Sequence, residues 1–191
     1  MSRRKKMSLK EYKEKRDFKK TTEPEGEIET GKKMIFVIQK HAASKLHYDF
    51  RLQIEGVLKS WAIPKGPSLD PSKKRLAIPT EDHPIDYADF EGIIPENNYG
   101  AGRVIIWDKG TFENKTERNG EMINIKEAYE SGHITVILSG KKLKGEFGLV
   151  RMKGSNKWLF IKKEDTYADR KNDILETNPK SIFSNKDVDE I

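Results

Sequence analysis

A chain of 191 residues has room for one domain with a real core. It is 35% hydrophobic and 36% charged, above the roughly 25% charged share usual for globular chains, so a modest core under a wet surface is expected; eight Phe, six Tyr and three Trp exclude full disorder. With no cysteine, disulfides, thiolate catalysis and Cys-ligated zinc are excluded, and no run of 18 apolar residues exists to span a membrane.

The N-terminal MSRRKKMSLK is basic with no apolar stretch behind it, so it does not read as a secretory signal, and a cysteine-free chain suits a cytoplasmic setting. Residues 1–20 hold ten Lys or Arg against three acids, a net of +7, while the remainder sums to about −1. A basic arm on a neutral body suits a polyanionic partner or serves plain solubility. Ser8 and Glu11 form a capping-box pattern that predicts a helix over residues 9–19, with a thin apolar face of Leu9, Tyr12 and Phe18. Residues 21–33 read as a linker, which completes an arm of residues 1–33.

From Met34 the text changes to short β-like runs: residues 34–40, 47–54, 57–63, 75–80, 103–108, 133–139, 146–152 and 157–163. Turn signals such as Glu55-Gly56, Lys109-Gly110 and Gly154-Ser155 separate them. One short helix near Ile125–Glu130 is closed by Gly132 as a C-cap. The expected fold is mainly β, a compact antiparallel barrel or curled sandwich of about eight strands over residues 34–165 with short flanking helices. Residues 166–191 read as a polar, loosely ordered tail. No exposed apolar face demands a partner, so a monomer is expected.

The chemistry concentrates around three of the four histidines. In HYDFRLQI alternate side chains share a face, so Tyr48, Phe50, Leu52 and Ile54 form a core face opposite His47, Asp49, Arg51 and Gln53. Imidazole and carboxylate on one face suit Mn, Fe, Zn or Ni. His41, across the turn A-A-S-K, supplies a third ligand if that turn folds it back, and leaves positions open for water or a phosphate oxygen. H-x-D on a strand is short and common, and a surface strand carries such residues for solubility alone. The neighbouring anion-binding groups argue otherwise. Arg51 lies one step along the same face, Lys65 follows a strand end and Arg75 opens the next strand. Glu81, His83 and Tyr87 fall in the loop expected after that strand. Taken singly, Lys65 and Arg75 also read as solvated side chains and His83, before Pro84, as a turn residue. Together they suit phosphoryl transfer, with His83 or Tyr87 protonating the leaving oxygen. His133, far from the others in sequence, reads as structural.

The stretches FVIQKHAASKLHYDFRLQIEGVLKSWAIPKGPS and RLAIPTEDHPIDYADFEGIIPENNYGAGRVIIWDKGTF, with the upstream YKEKRDFKKTTEPEG, resemble the 3′-phosphoesterase module of bacterial DNA ligase D over roughly residues 9–163. The resemblance implies a β-barrel with a metal site on its concave face. It implies Mn²⁺-dependent removal of a 3′-terminal ribonucleoside and then of the remaining 3′-phosphate, with Zn²⁺ or Co²⁺ as alternative metals. By matching motif, His41, His47 and Asp49 are the implied metal ligands. Arg51, His83 and Tyr87 surround the scissile phosphate, and Lys65 and Arg75 assist phosphate binding. Arg16, Asp17 and Glu23 handle the ribonucleoside step, and Glu81 stands with the substrate-binding groups. Without a ligase motif here, the expectation is an enzyme that acts on nucleic acid 3′ ends and meets a DNA ligase or polymerase in trans. The GIIPENNYGAG loop (residues 92–102) matches the family without an evident chemical role.

Two rival readings have distinct signatures. An Fe(II) oxygenase would use His47, Asp49 and His133 as a facial triad. A non-catalytic nucleic-acid-binding barrel would use the basic arm and leave the histidines incidental.

Overall fold

The computed structural model describes residues 9–28 and 34–191. Ser8, half of the expected capping box, lies outside them. In chain order the elements are α1 (Lys10–Glu14), β1 (Ile35–Ala42), β2 (Leu46–Ile54), β3 (Val57–Ile63), β4 (Arg75–His83), β5 (Gly92–Ile94), β6 (Gly102–Asn114), β7 (Glu117–Arg118), β8 (Glu121–Met122), α2 (Ile125–Ser131), β9 (His133–Gly140), β10 (Lys144–Arg151), β11 (Trp158–Lys162) and α3 (Ile174–Thr177). Short 3-10 turns lie at Ile85–Asp89 and Val188–Glu190.

Eight strands close on themselves. The order β1-β2-β3-β4-β11-β10-β9-β6 returns to β1 because β6 pairs with β1 as well as β9, and every pairing is antiparallel. The expected barrel is therefore present, and closure removes its free edges. β5 adds to β6 outside the ring, and β7 and β8 form a separate two-residue hairpin. That hairpin turns on Asn119-Gly120, both at positive φ (52° and 79°), the twist a two-residue connection requires. Neither β5 nor this hairpin was expected from periodicity, since each is too short to show any.

Two apolar clusters result. Phe36, Ile38, Phe50, Leu52, Trp61, Ala77, Phe112, Val136, Leu149 and Phe160 belong to the first, which draws on all eight closing strands and so fills the barrel interior. The second lies outside the β1–β2–β3–β6 wall, where Tyr12, Ile85, Tyr87, Phe90 and Ile94 pack on Val37, Leu58, Val104 and Ile106. Burial of each such side chain contributes about 1.5–3 kcal/mol, so this outer layer is a firm attachment for the leader and the segment around residues 85–94.

Three expectations need correction. The first helix ends at Glu14 rather than near residue 19, where the chain turns inward and buries the Arg16 side chain; Asp17 then accepts from the Lys19 amide to shape a tight turn. β4 continues to His83, so Glu81 and His83 are strand residues; Pro84, which lacks an N–H, ends the strand there. The C-terminal residues form a plug rather than a loose tail. Ile174 joins the barrel core, the Trp107 indole donates to the Asn178 carbonyl at 2.8 Å, and the Ile182 amide donates to the Ile106 carbonyl at 3.0 Å. By contrast α2 matches its expected limits. It is capped by the Asn124 side chain and closed by Gly132 in the left-handed conformation (φ 78°).

Candidate active site

The β1–β2 hairpin creates the centre of the site. Its register sets His41 opposite His47 and Gln39 opposite Asp49, and the three-residue turn at 43–45 does fold His41 back. Phe50 and Leu52 point into the barrel, so Asp49 and Arg51 point outward. The site is thus on the outer wall, not on a concave inner face. A barrel this small is filled by its own aromatic core, and the concavity comes from segments laid over the outside. Those segments are the leader, with Arg16, and the stretch that carries Tyr87, Ile94 and Tyr99; with the wall they enclose a cavity of ≈ 220 Å³.

Within it, one nitrogen of each histidine converges on one oxygen. His41 Nδ1 lies 3.5 Å and His47 Nε2 3.4 Å from Asp49 Oδ2. The opposite nitrogen of each ring is held by a backbone carbonyl: His41 Nε2 at 2.7 Å from Gly100 O, His47 Nδ1 at 3.0 Å from Lys45 O. Carbonyls accept only, so in a neutral ring the outer nitrogen carries the proton and the inner one has a lone pair for a metal, whereas a proton on the inner nitrogen bonds Asp49 when no metal is held. With both rings neutral, the two lone pairs and the carboxylate oxygen form a three-donor set for one cation. His41, His47 and Asp49 offer ligand atoms within 4.8 Å of one another, the one such group among the described residues. The donor chemistry therefore fits a divalent metal.

Arg51 links this cluster to the rest of the cavity. Its Nη2 lies 3.3 Å from Asp49 Oδ2, its Nε donates to Gln39 Oε1 at 2.8 Å, and its Nη1 lies 3.1 Å from His83 Nδ1. Gln39 in turn donates to the carbonyls of Tyr87 and Phe90, which ties the covering segment to the wall. Gln39 was missed from the sequence, although it shares a face with His41 and sits opposite Asp49.

The electrostatics follow from burial and neighbours. Burial alone would raise the Asp49 carboxyl, but Arg51 and the two histidines hold it well below the usual carboxylate range. Burial, then Arg51 and Arg16, hold His83 well below its usual value, so its imidazole is neutral near pH 7. Its Nδ1 lies between the Glu81 carbonyl at 2.8 Å, which only accepts, and Arg51 Nη1 at 3.1 Å, which only donates, so the two contacts favour opposite tautomers, and its Nε2 faces Glu81 Oε1 at 3.9 Å. Burial and nearby Glu23 push the Tyr87 phenol up; its hydroxyl donates to Glu23 Oε1 at 2.8 Å.

The leader contributes a second layer. Arg16 Nε donates to Glu23 Oε1 at 2.9 Å and its Nη1 to Glu81 Oε1 at 3.1 Å, all three side chains almost wholly buried. Thus Arg16, Glu23, Glu81 and Tyr87 form one connected network against the cavity. Asp17 is not part of it: it lines an adjoining surface groove. Lys65 and Arg75 do not line the cavity either. Lys65 is exposed beyond β3. Arg75 lies on the same side of β4 as core-facing Ala77, with its Nε buried and unpartnered. The Thr80 hydroxyl, not singled out in the sequence, lines the cavity and is buried without a partner, so it is free for a ligand oxygen. His133 is exposed at the start of β9 and outside the cluster, so the triad His47–Asp49–His133 is not assembled.

The chain is also similar in sequence to known proteins. The sequence profile of the DNA Ligase D 3′-phosphoesterase domain matches residues 39–151. The chain is 46% identical over 188 residues to the multifunctional non-homologous end joining protein LigD of Pseudomonas aeruginosa, a match covering 93% of this chain and 21% of that protein. It is 45% identical over 153 residues to the LigD DNA repair protein of Mycobacterium tuberculosis, covering 79% of this chain and 19% of that protein. For the Mycolicibacterium smegmatis protein the identity is 43% over 165 residues, covering 85% and 21% respectively. The chain spans about a fifth of the length of these relatives. No helix among the described residues is long and apolar enough to cross a membrane.

Proposed function

The chain belongs to the DNA ligase D 3′-phosphoesterase family, and from that premise we propose that it is a metal-dependent hydrolase that heals the 3′ ends of nucleic acid strands. In the first reaction water attacks the phosphorus of the terminal phosphodiester, and a 3′-terminal ribonucleoside leaves with its 5′ oxygen. In the second, water releases the remaining phosphate and leaves a 3′-OH. The observation that carries this reading is the convergence of His41, His47 and Asp49 on one point, with Arg51 reaching from Asp49 to His83.

Each side chain has a distinct task. His41, His47 and Asp49 would hold the cation, most favourably Mn²⁺, with Zn²⁺ or Co²⁺ as substitutes; when bound it polarises a phosphoryl oxygen and lowers the pKa of water. Arg51 supplies a fixed positive charge beside the transferring group, where extra negative charge develops in the transition state. The Thr80 hydroxyl donates to a phosphate oxygen. His83, neutral near pH 7 and lining the cavity, takes the proton of the attacking water and returns it to the leaving oxygen. Tyr87 is less suited to that exchange, since its proton is directed at Glu23; we place it as a wall of the phosphate pocket. Arg16, Asp17 and Glu23 serve the ribonucleoside step, in which a second group must be accommodated. Lys65 and Arg75, which do not line the cavity, are given no contact with the phosphate in this reading. The clean 3′-OH would be a substrate for a DNA ligase or polymerase.

The test is a labelled primer-template with one 3′-terminal ribonucleotide, incubated with metal-stripped protein with and without Mn²⁺ and resolved on a gel. Metal-dependent loss of a nucleoside followed by conversion of 3′-phosphate to 3′-OH is expected. No cleavage, but a retained gel shift, would instead establish the binding-barrel reading.

A further inference from the structure

The loop around residues 95–101, which follows β5, has two structural duties that its sequence did not disclose. The Gly100 carbonyl holds His41, and the preceding residue, Tyr99, stands at the mouth of the cavity. A second concavity of ≈ 570 Å³ adjoins the first, and Arg16 and Tyr99 are the two residues that line both. Tyr99 is 48% exposed. Lys15 Nζ lies over the ring at 4.7 Å and the Arg16 guanidinium at 5.4 Å from its centre, and its hydroxyl reaches Glu81 at 3.4 Å, so the ring is fixed by cations over its face and by its hydroxyl while about half of the residue stays exposed.

The chemistry of the groove indicates what it receives. Glu14, Asp17 and Glu96 line it with Lys15, Arg16 and Lys20, so its charges balance, and Lys15, Arg16 and Lys20 are each paired with a carboxylate; Asn97 and Asn98 complete the lining. A balanced groove offers no net attraction to a phosphate backbone, while its carboxylates accept hydrogen bonds from sugar hydroxyls and its amides suit base edges. The groove therefore fits an uncharged nucleoside better than the polyanionic strand. We propose that it is the subsite of the 3′-terminal nucleoside, with Tyr99 stacked on the nucleobase at the border of the phosphate cavity. This rests on the end-healing reading and adds a recognition element to it.

Stacking of a base on an aromatic ring typically changes affinity by about 5- to 150-fold, and a leucine cannot replace it. Two experiments test the assignment. The first uses metal-free protein and a primer ending in 2-aminopurine riboside, whose fluorescence falls on stacking. Quenching is expected with the wild type and Tyr99→Phe and not with Tyr99→Leu. The second compares Mn²⁺-dependent rates on ends carrying a ribonucleoside, an abasic ribose or a bare 3′-phosphate. Tyr99→Leu should lose at least about fivefold on the ribonucleoside end relative to the phosphate end. It should match the wild type's ratio once the base is absent.

Equal losses at both ends would mean that Tyr99 acts only through Gly100 and His41, and would overturn the proposal; so would undiminished quenching in Tyr99→Leu. If the wild type cleaves neither end yet quenches through Tyr99, the end-healing reading fails and the nucleoside subsite stands.

Discussion

Arg16 and Glu81, 65 residues apart in the chain, meet at 3.1 Å with their side chains 4% and 3% exposed. Arg16 also neutralises Glu23, which is wholly buried. One guanidinium thus secures two carboxylates and fastens the leader to β4. Removal of one member of such a group leaves uncompensated buried charge, at a typical cost of about 3–5 kcal/mol. Arg16→Ala should therefore lower the urea midpoint strongly and open residues 9–28 to protease, while in a Glu23→Gln, Glu81→Gln background the same change should cost less. Equal protease resistance in wild type and Arg16→Ala would show that Tyr12 and its apolar neighbours alone hold the leader.

Metal binding should compete with protons at His47. Burial alone would lower its pKa, but the hydrogen bond and charge of Asp49 carry the net shift upward. A metal needs the neutral imidazole, so Mn²⁺ affinity should fall as pH drops through this raised value, by up to about tenfold per pH unit for one displaced proton. The competition should set in above the ordinary histidine pKa. Asp49→Asn removes the charged ligand and should weaken Mn²⁺ by at least about 100-fold. Titration of free Mn²⁺ by electron paramagnetic resonance at pH 6, 7 and 8 reads both effects. Affinity that is flat with pH would exclude His47 as a ligand.

Alternation made the barrel and the metal cluster legible. HYDFRLQI shows its core face and its chemical face directly, and a three-residue turn suffices to bring His41 across. What alternation does not reveal is what covers a face. That the site lies on the outside of the barrel depends on Tyr12, Ile85 and Phe90, which read only as scattered apolar residues until they pack on Val37 and Leu58. The roles of Gly100 and Tyr99 depend on a loop with no periodicity, so no local pattern could place them. Arg75 shows the converse: its position at a strand start suggested phosphate binding, and only the register through Ala77 turns it toward the core side.

His83 should leave a signature in the pH dependence of stability. Its pKa is held well below the ordinary value by burial, then by Arg51 and Arg16. The unfolded chain takes up a proton near pH 6.5 while the folded chain does not. Stability is therefore lost as pH falls below that point, at up to about 1.4 kcal/mol per pH unit. His47, with its raised pKa, acts in the opposite sense, so the two partly offset in the metal-free protein. Comparison of His83→Gln with wild type by urea unfolding at pH 7.5 and 5.5 isolates the first effect. The variant should lose less stability on acidification, and an identical difference in both proteins would mean that folded His83 protonates normally.

The C-terminal segment should prove to be part of the domain. Ile174 and Val188 are 7% and 3% exposed, and Lys40, on the core-facing side of β1, pairs with Asp187 at 2.6 Å. Truncation after Asp165 removes both apolar side chains, about 1.5–3 kcal/mol each, and strands the Lys40 ammonium and the Trp107 indole at an opened barrel end. The summed loss, about 3–6 kcal/mol before the unpaired groups are counted, is comparable to the whole stability of many domains. The truncated chain is expected to be largely unfolded or to melt far below the full chain. Asp187→Asn, a milder change, should cost about 1–3 kcal/mol while keeping the fold. A truncated protein that melts with the full chain would show instead that the eight strands are self-sufficient and that the plug contributes no net stability.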